Sequence, residues 1–178
     1  MSSHIVATAE TSEAGTGRIV AVLAFAGITV ALMQTLIIPL VPQLPGLVNA
    51  SAANAAWAIT ATLLAGAVAV PVVGRLGDMV GKRRMLLVSL VLLVAGSVVG
   101  ALANSLVPLI VGRALQGLAA GVIPLGISVM RDVLPRRKLP GSIALMSASL
   151  GVGGALGLPA AAIIAEYADW HFLFWTAA

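Results

Sequence analysis

The chain has 178 residues, of which 60% are hydrophobic and only 9% are charged, and its formal net charge is +4. A typical soluble domain is about 25% charged, so this composition excludes a soluble globular protein and indicates a membrane protein. The sequence contains no cysteine, which excludes disulfide bonds and thiolate metal sites within it.

The N-terminal segment, residues 1–17, is polar and contains Glu10 and Glu13 but no lysine or arginine. A secretory signal peptide would begin with a basic region followed by a short apolar core. We therefore predict a disordered cytoplasmic tail over residues 1–17 and a transmembrane domain over residues 18–178.

Five apolar segments are long enough to cross a bilayer, which takes about 20 residues for a hydrocarbon core of roughly 30 Å. They are predicted to be helices, because lipid offers the backbone no hydrogen-bond partners. A sixth apolar run begins at Trp170, so the sequence is predicted to stop inside a sixth helix. The five predicted helices are 19–40, 52–73, 85–103, 106–130 and 141–165.

The basic residues alternate between the two ends of these helices. Arg18 precedes the first helix, and the connections after the second and fourth helices hold the other loop lysines and arginines, whereas residues 41–51, 104–105 and 166–169 contain none. The positive-inside rule then predicts a multi-pass protein of the cell membrane with a cytoplasmic N-terminus. Because topology explains the basic charge, we predict no nucleic-acid partner.

Aromatic and histidine residues near the helix ends have simple explanations. Trp57, Tyr167 and Trp170 suit anchoring at the membrane interface, and an aromatic substrate box is the alternative interpretation. Neither His4 nor His171 has companions at metal-ligand spacing. We predict no catalytic site, no metal site and no cofactor.

The stretch GRLGDMVGKRRML, residues 74–86, lies between the second and third predicted helices. Glycines permit a tight turn and close helix approach, and Lys82 and Arg83 hold the loop in the cytoplasm. These roles leave Asp78 unexplained, because acids contribute little to membrane topology. Asp78 could accept hydrogen bonds from a helix N-terminus or pair with an arginine.

This stretch resembles the signature loop of the major facilitator superfamily, Gly-x-Leu-Ala/Gly-Asp-Arg-x-Gly-Arg/Lys-Arg/Lys, and departs from it at Met79, where the family usually has a basic residue. The resemblance implies a conformational latch, in which Asp78 caps or pairs with a helix of the other half of a transporter. Arg131, after the fourth helix, is a nearer candidate partner. The matching residues are Gly74, Leu76, Gly77, Asp78, Gly81, Lys82 and Arg83.

Arg113 is the only ionisable residue inside the five predicted spans. A charge there costs at least ~2.5–3.5 kcal/mol, which makes it a functional hypothesis. The alternative is snorkelling, because Arg113 lies about 10 Å from the predicted outer end of its helix. Gln116 and Gly117 follow at i+3 and i+4 and share its face, which suits a cavity lining or a helix contact.

The fourth helix resembles the Arg-x-x-Gln-Gly motif of the family's drug:proton antiporters, in which the arginine is associated with proton coupling. Helices one and four line the central cavity of the superfamily. Gln34 lies about 9 Å from the outer end of its helix, at nearly the depth of Arg113, so the resemblance implies that both face this cavity. Alternatively, Gln34 bonds to a neighbouring backbone. The predicted spans contain no acid, so Glu166 at the rim, or a residue elsewhere, would carry the proton.

The fifth helix contains the small-residue pairs Gly151/Ala155 and Gly153/Gly157, each four residues apart. This spacing lets helices approach closely. The stretch is similar to the antiporter motif Gly-x-x-x-Gly-Pro-x-x-Gly-Gly, but the proline is displaced to Pro159 and alanines replace the trailing glycines. The departure weakens the antiporter interpretation and leaves the predicted fold unchanged.

The resemblance covers residues 18–178 and predicts an all-α membrane protein with the N-terminal helical bundle of the superfamily. It implies small-molecule transport by alternating access, which requires the bilayer and the missing C-terminal half, with proton-coupled multidrug efflux as the preferred function. The alternatives are a nutrient or sugar uptake transporter and a truncated membrane fragment that does not transport.

Overall fold

The computed structural model describes residues 2–167 and 169–176, with side chains described for residues 17–164, 166–167 and 169–176. All regular secondary structure in this part of the chain is helical. In chain order, the α-helices are α1 (Ser2–Leu36), α2 (Leu44–Leu47), α3 (Ala52–Ala55), α4 (Trp57–Val80), α5 (Lys82–Ala101), α6 (Leu106–Leu118), α7 (Val122–Val133), α8 (Leu139–Tyr167) and α9 (His171–Trp175).

Five helical stretches are long and apolar enough to cross a membrane, which confirms the predicted all-α fold and its five spans. α9 begins one residue after the predicted start of the sixth helix. The five stretches are Gly17–Leu40, Ala52–Val80, Lys82–Ala101, Leu106–Val133 and Leu139–Ile164.

The predicted loop between the second and third helices is wrong. α4 continues seven residues past its predicted end, to Val80, and α5 begins at Lys82, so Gly81 alone separates them. Residues 74–80 include the apolar Leu76 and Met79 and contain no proline, which allows α4 to continue. Gly81 has φ +111°, a conformation that glycine adopts without steric cost, and the chain reverses there.

α7 likewise ends at Val133, three residues beyond the predicted end of the fourth helix. The longer α4 and α7 therefore carry Asp78 and Asp132 in their last turns. The prediction that the spans contain no acid is wrong at this end of the bundle, because both spans continue past their predicted ends and through these two acids.

The first helix begins at Ser2 rather than near residue 19. Residues 2–17, for which a disordered tail is predicted, are thus part of α1. This segment contains three alanines, two glutamates and no proline. Alanine and glutamate favour helix, so the helix continues through the segment despite its polar character.

The fourth span is interrupted by a 3-10 turn at Ala119–Gly121, between α6 and α7. Pro124 accounts for the interruption, because its nitrogen cannot donate the helical hydrogen bond to the carbonyl of Ala120. A Cβ atom on Gly121 would lie 2.6 Å from Cγ1 of Val73. The broken span therefore packs closely against α4.

α1 packs against α8, and α6 packs between α4 and α5. The α1–α8 contact uses one of the two predicted small-residue pairs: a Cβ atom on Gly153 would lie 2.7 Å from the carbonyl oxygen of Ile28, and one on Gly157 would collide with Thr35. The other pair, Gly151 and Ala155, is exposed, and a Cβ atom on Gly151 would meet no atom within 4 Å. Pro159 is likewise exposed on α8.

Candidate functional site

A groove of about 460 Å³ runs between α1, α4 and α6. Its lining is mostly apolar and contains the polar side chains of Gln34, Thr35, Thr62 and Arg113. A largely apolar pocket with a few convergent polar groups is the usual form of a small-molecule site. We therefore take this groove as the candidate functional site.

Arg113 is held inside the bundle by hydrogen bonds from Nη1. This nitrogen donates to the carbonyl oxygen of Met33 on α1 at 3.2 Å and to Oε1 of Gln116 at 2.6 Å. The Arg113 side chain is only 3% exposed. The guanidinium is thus directed at neighbouring helices, and the structure does not show the snorkelling that the sequence left open.

Gln116 extends this network to α5. Its Nε2 donates to Oγ of Ser97 at 3.0 Å, and Ser97 Oγ donates to the carbonyl oxygen of Leu93 at 2.8 Å. Gln116 and Ser97 are both buried. The Arg113–Gln116–Ser97 network therefore connects α1, α6 and α5 by polar contacts that are strong in a low-dielectric interior.

Gln34 lines the same groove as Arg113, as the depth argument predicts. Its side chain is exposed and makes no hydrogen bond to any described residue, so the structure does not show the alternative backbone contact. Gln34 is available to bind a molecule in the groove.

Gly117 brings α6 close to α4. A Cβ atom at this position would lie 2.9 Å from Cβ of Ala65 and 3.0 Å from the backbone carbon of Thr62. Gly117 also lines the groove. Gly117, which is predicted to share a helix face with Arg113, therefore makes a close contact with α4 and forms part of the groove lining.

A second cluster of charges lies at the end of the bundle where α4 meets α5, which we call the basic end. Lys82 Nζ is 2.6 Å from Oδ2 of Asp132 on α7 and 4.0 Å from Oδ1 of Asp78. Among the described residues, Asp78 does not pair with Arg131, the partner suggested by the sequence. The side chain of Asp78 is 72% exposed, so it remains available to a further helix.

Three other predicted latch residues occupy separate positions at the basic end. Gly77 packs against α7, because a Cβ atom there would lie 2.6 Å from Cδ2 of Leu125. Gly74 has open space around it, and Arg83 lines a surface groove with Arg18. Residues 74–86 therefore form the end of α4, a one-residue turn at Gly81 and the start of α5. The predicted latch residues lie in different environments along them.

Sequence reasoning missed Asp132. The available signal was the one used for Asp78, namely an acid among the basic residues of a connection, and Asp132 lies among Arg131, Arg136 and Arg137. The partners Lys82 and Asp132 are 50 residues apart, so only the fold brings them together.

The two contacts of Lys82 are expected to differ in strength. A double-mutant cycle with Lys82→Ala and Asp132→Asn should give a coupling energy of about 0.5–1 kcal/mol, near the upper limit for a partly exposed ion pair. The matched cycle with Asp78→Asn should give a smaller value, because that contact is longer and more exposed. Thermal unfolding in detergent measures both, and equal couplings would contradict the observed geometry.

At the opposite end of the bundle, His171 fastens the start of α9. Its Nδ1 contacts the carboxylate of Asp169, and its Nε2 lies 3.0 Å from the carbonyl oxygen of Ala103, after α5. The His171 backbone N–H also donates to Asp169 at 2.9 Å, and these hydrogen bonds lower the pKa of Asp169. Phe174 packs on Gly100, which seats α9 against α5.

Comparison with known proteins agrees with this architecture. Residues 23–178 match the sequence profile described as Major Facilitator Superfamily. An MFS-type transporter of Mycobacterium tuberculosis is 34% identical over 154 residues, which cover 86% of this chain and 22% of that protein. The MFS-type transporter YvkA of Bacillus subtilis is 32% identical over 86% of this chain and 35% of its own length.

A fungal relative extends the similarity beyond bacteria. An MFS-type transporter of Aspergillus terreus is 30% identical over 146 residues, which cover 82% of this chain and 26% of that protein. The chain thus spans between about a fifth and about a third of the length of these three relatives. From the profile match over most of its length and its five-span helical bundle, the chain belongs to the major facilitator superfamily.

Proposed function

We propose that the chain forms the N-terminal half of a transporter that moves a small molecule across the membrane by alternating access. Family membership and the relatives named as MFS-type transporters support this proposal. In such transporters the substrate binds near the bilayer midplane between two halves. The observation that carries the proposal is a buried arginine, Arg113, in the wall of a mostly apolar groove.

Within this class, proton-coupled multidrug efflux from the cell is the preferred activity. The Arg-x-x-Gln-Gly motif supports it, because both polar members belong to one buried network beside the groove. The basic end would face the cytoplasm of a cell membrane. Arginine cannot release a proton near neutral pH. Asp78, Asp132, Glu166 and Asp169 are therefore the candidate carboxylate proton carriers among the described side chains.

Transport in inside-out membrane vesicles tests this proposal. Vesicles that contain the protein at its full native length should accumulate several structurally unrelated drugs when a proton gradient is imposed, and a protonophore should abolish the accumulation. Vesicles without the protein are the control. Uptake of a sugar into right-side-out vesicles with no drug flux would instead support the nutrient transporter. No flux of either kind would support a non-transporting membrane protein.

A further inference from the structure

The guanidinium of Arg113 has more hydrogen-bond donors than the described residues satisfy. A guanidinium carries five N–H groups, and Nη1 donates to Met33 and Gln116. Nε is fully buried and has no hydrogen-bond partner in the described part of the chain, and Nη2 makes no hydrogen bond there either. Unsatisfied donors in a low-dielectric site favour an additional acceptor.

The charge of Arg113 is also uncompensated. Both acceptors of Nη1 are neutral, a backbone carbonyl and an amide. No described carboxylate lies within ion-pair distance of the guanidinium. Among the described side chains, the acids are at the two ends of the bundle. Asp78 and Asp132 contact Lys82, Asp169 contacts His171, and Glu166 lies in the last turn of α8. The wall of the groove therefore carries a positive charge with no described carboxylate beside it.

The other polar groups of the groove are uncharged. Thr35 and Thr62 donate their hydroxyl hydrogens to backbone carbonyls of their own helices. Gln34 has a free side-chain amide whose NH₂ group can donate. Arg113 and Gln34 are thus the hydrogen-bond donors available to a molecule in the groove, and the remaining lining is mostly apolar.

We propose that this groove selects amphipathic anions, with a carboxylate or sulfonate near Arg113 and Gln34 and an apolar body against Ile38, Ile59 and Leu63. The inference rests on the proposed transport function and names the substrate class of the same site. Lipophilic cations are disfavoured, because they would approach an uncompensated positive charge in a medium that screens it poorly.

The test compares two probes with the same aromatic body and opposite charge, 1-pyrenesulfonate and (1-pyrenylmethyl)trimethylammonium. Equilibrium dialysis measures their binding to the full-length protein in lipid nanodiscs, and empty nanodiscs correct for partition into lipid. We expect the sulfonate to bind at least about tenfold more tightly, as expected for a nearby charge of opposite sign.

Two variants assign this preference to the groove. Arg113→Gln removes the charge and should bring the two dissociation constants close together. Gln34→Glu adds a negative charge at an exposed position of the wall and should reduce or reverse the preference, even if Arg113→Gln fails to fold. The matched control is Arg18→Gln, which removes an arginine at the basic end and should leave the preference unchanged.

Equal or tighter binding of the ammonium probe to the unmodified protein would overturn the inference. A sulfonate preference that survives in both folded groove variants, or in Gln34→Glu when Arg113→Gln does not fold, would also overturn it. These outcomes are separate from those of the flux assay. Drug efflux without an anion preference would leave the proposed function intact, whereas anion binding without flux would leave only the inference.

Discussion

Replacement of Arg113 by alanine is expected to lower the initial rate of substrate transport by about a hundredfold or more, equivalent to about 2.7 kcal/mol in activation free energy. The groove loses its only charged side chain among the described lining residues. The carbonyl of Met33 and the amide oxygen of Gln116 lose their donor, which costs about 1–3 kcal/mol for each buried acceptor. Flux in vesicles, normalised to the amount of inserted protein, measures the effect.

Two further variants show whether the loss of transport is specific to the side chain of Arg113. Arg113→Lys keeps the charge but replaces a rigid, planar guanidinium with a compact ammonium on a flexible stem, so its rate should fall between those of alanine and arginine. Arg18→Ala removes an exposed arginine at the basic end and should transport normally. An Arg113→Ala protein that transports at the unmodified rate would show that the buried network serves only stability.

Replacement of Gly112 by valine is expected to prevent stable folding of the bundle. A Cβ atom on Gly112 would lie 2.8 Å from the backbone nitrogen of Gly100 and 2.8 Å from the carbonyl oxygen of Gly96. Overpacking usually costs about 1–3 kcal/mol, and here the obstacles are backbone atoms that cannot rotate away. α6 would have to move off α5, which would also separate Gln116 from Ser97.

Size-exclusion chromatography of the detergent-extracted protein measures this loss as the disappearance of the monodisperse peak. The matched control is Gly141→Val, because a Cβ atom on Gly141 would meet no atom within 4 Å. Both changes put the same residue into a helix, so they share its effect on helix propensity. Similar peaks for the two variants would contradict the close α5–α6 contact.

The number and order of the spans could be predicted from sequence, because hydrocarbon thickness sets a minimum apolar length and lipid enforces helix. The helix ends could not be predicted in this way. The charge of the segment after residue 73 predicts a loop, yet the helix continues through Asp78, and α4 ends at Gly81, which has a positive φ. Hydropathy identifies the residues that are apolar enough to lie within the membrane, whereas backbone geometry determines where a helix ends.

The candidate site was predictable where local geometry governs it. The i+3 spacing placed Gln116 beside Arg113, and the fixed rise of a helix placed Gln34 and Arg113 at one depth. The other partners come from separate helices: the Met33 carbonyl is 80 residues from Arg113, and Ser97 is 19 residues from Gln116. Such contacts depend on tertiary packing and cannot be read from spacing alone.

Thiol labelling of a cysteine at position 34 tests whether the groove opens alternately to the two sides of the membrane. The 178 residues contain no cysteine, so Gln34→Cys introduces the only thiol among them. A membrane-impermeant maleimide is applied separately from each side of vesicles that contain the full-length protein, with any cysteines elsewhere replaced.

The control is Val91→Cys on α5, which is exposed but outside the groove. It should react little from either side because lipid covers it. We expect the cysteine at position 34 to react from both sides of the membrane, in proportions that change when substrate is added. Reaction from one side only, unchanged by substrate, would contradict transport through this groove.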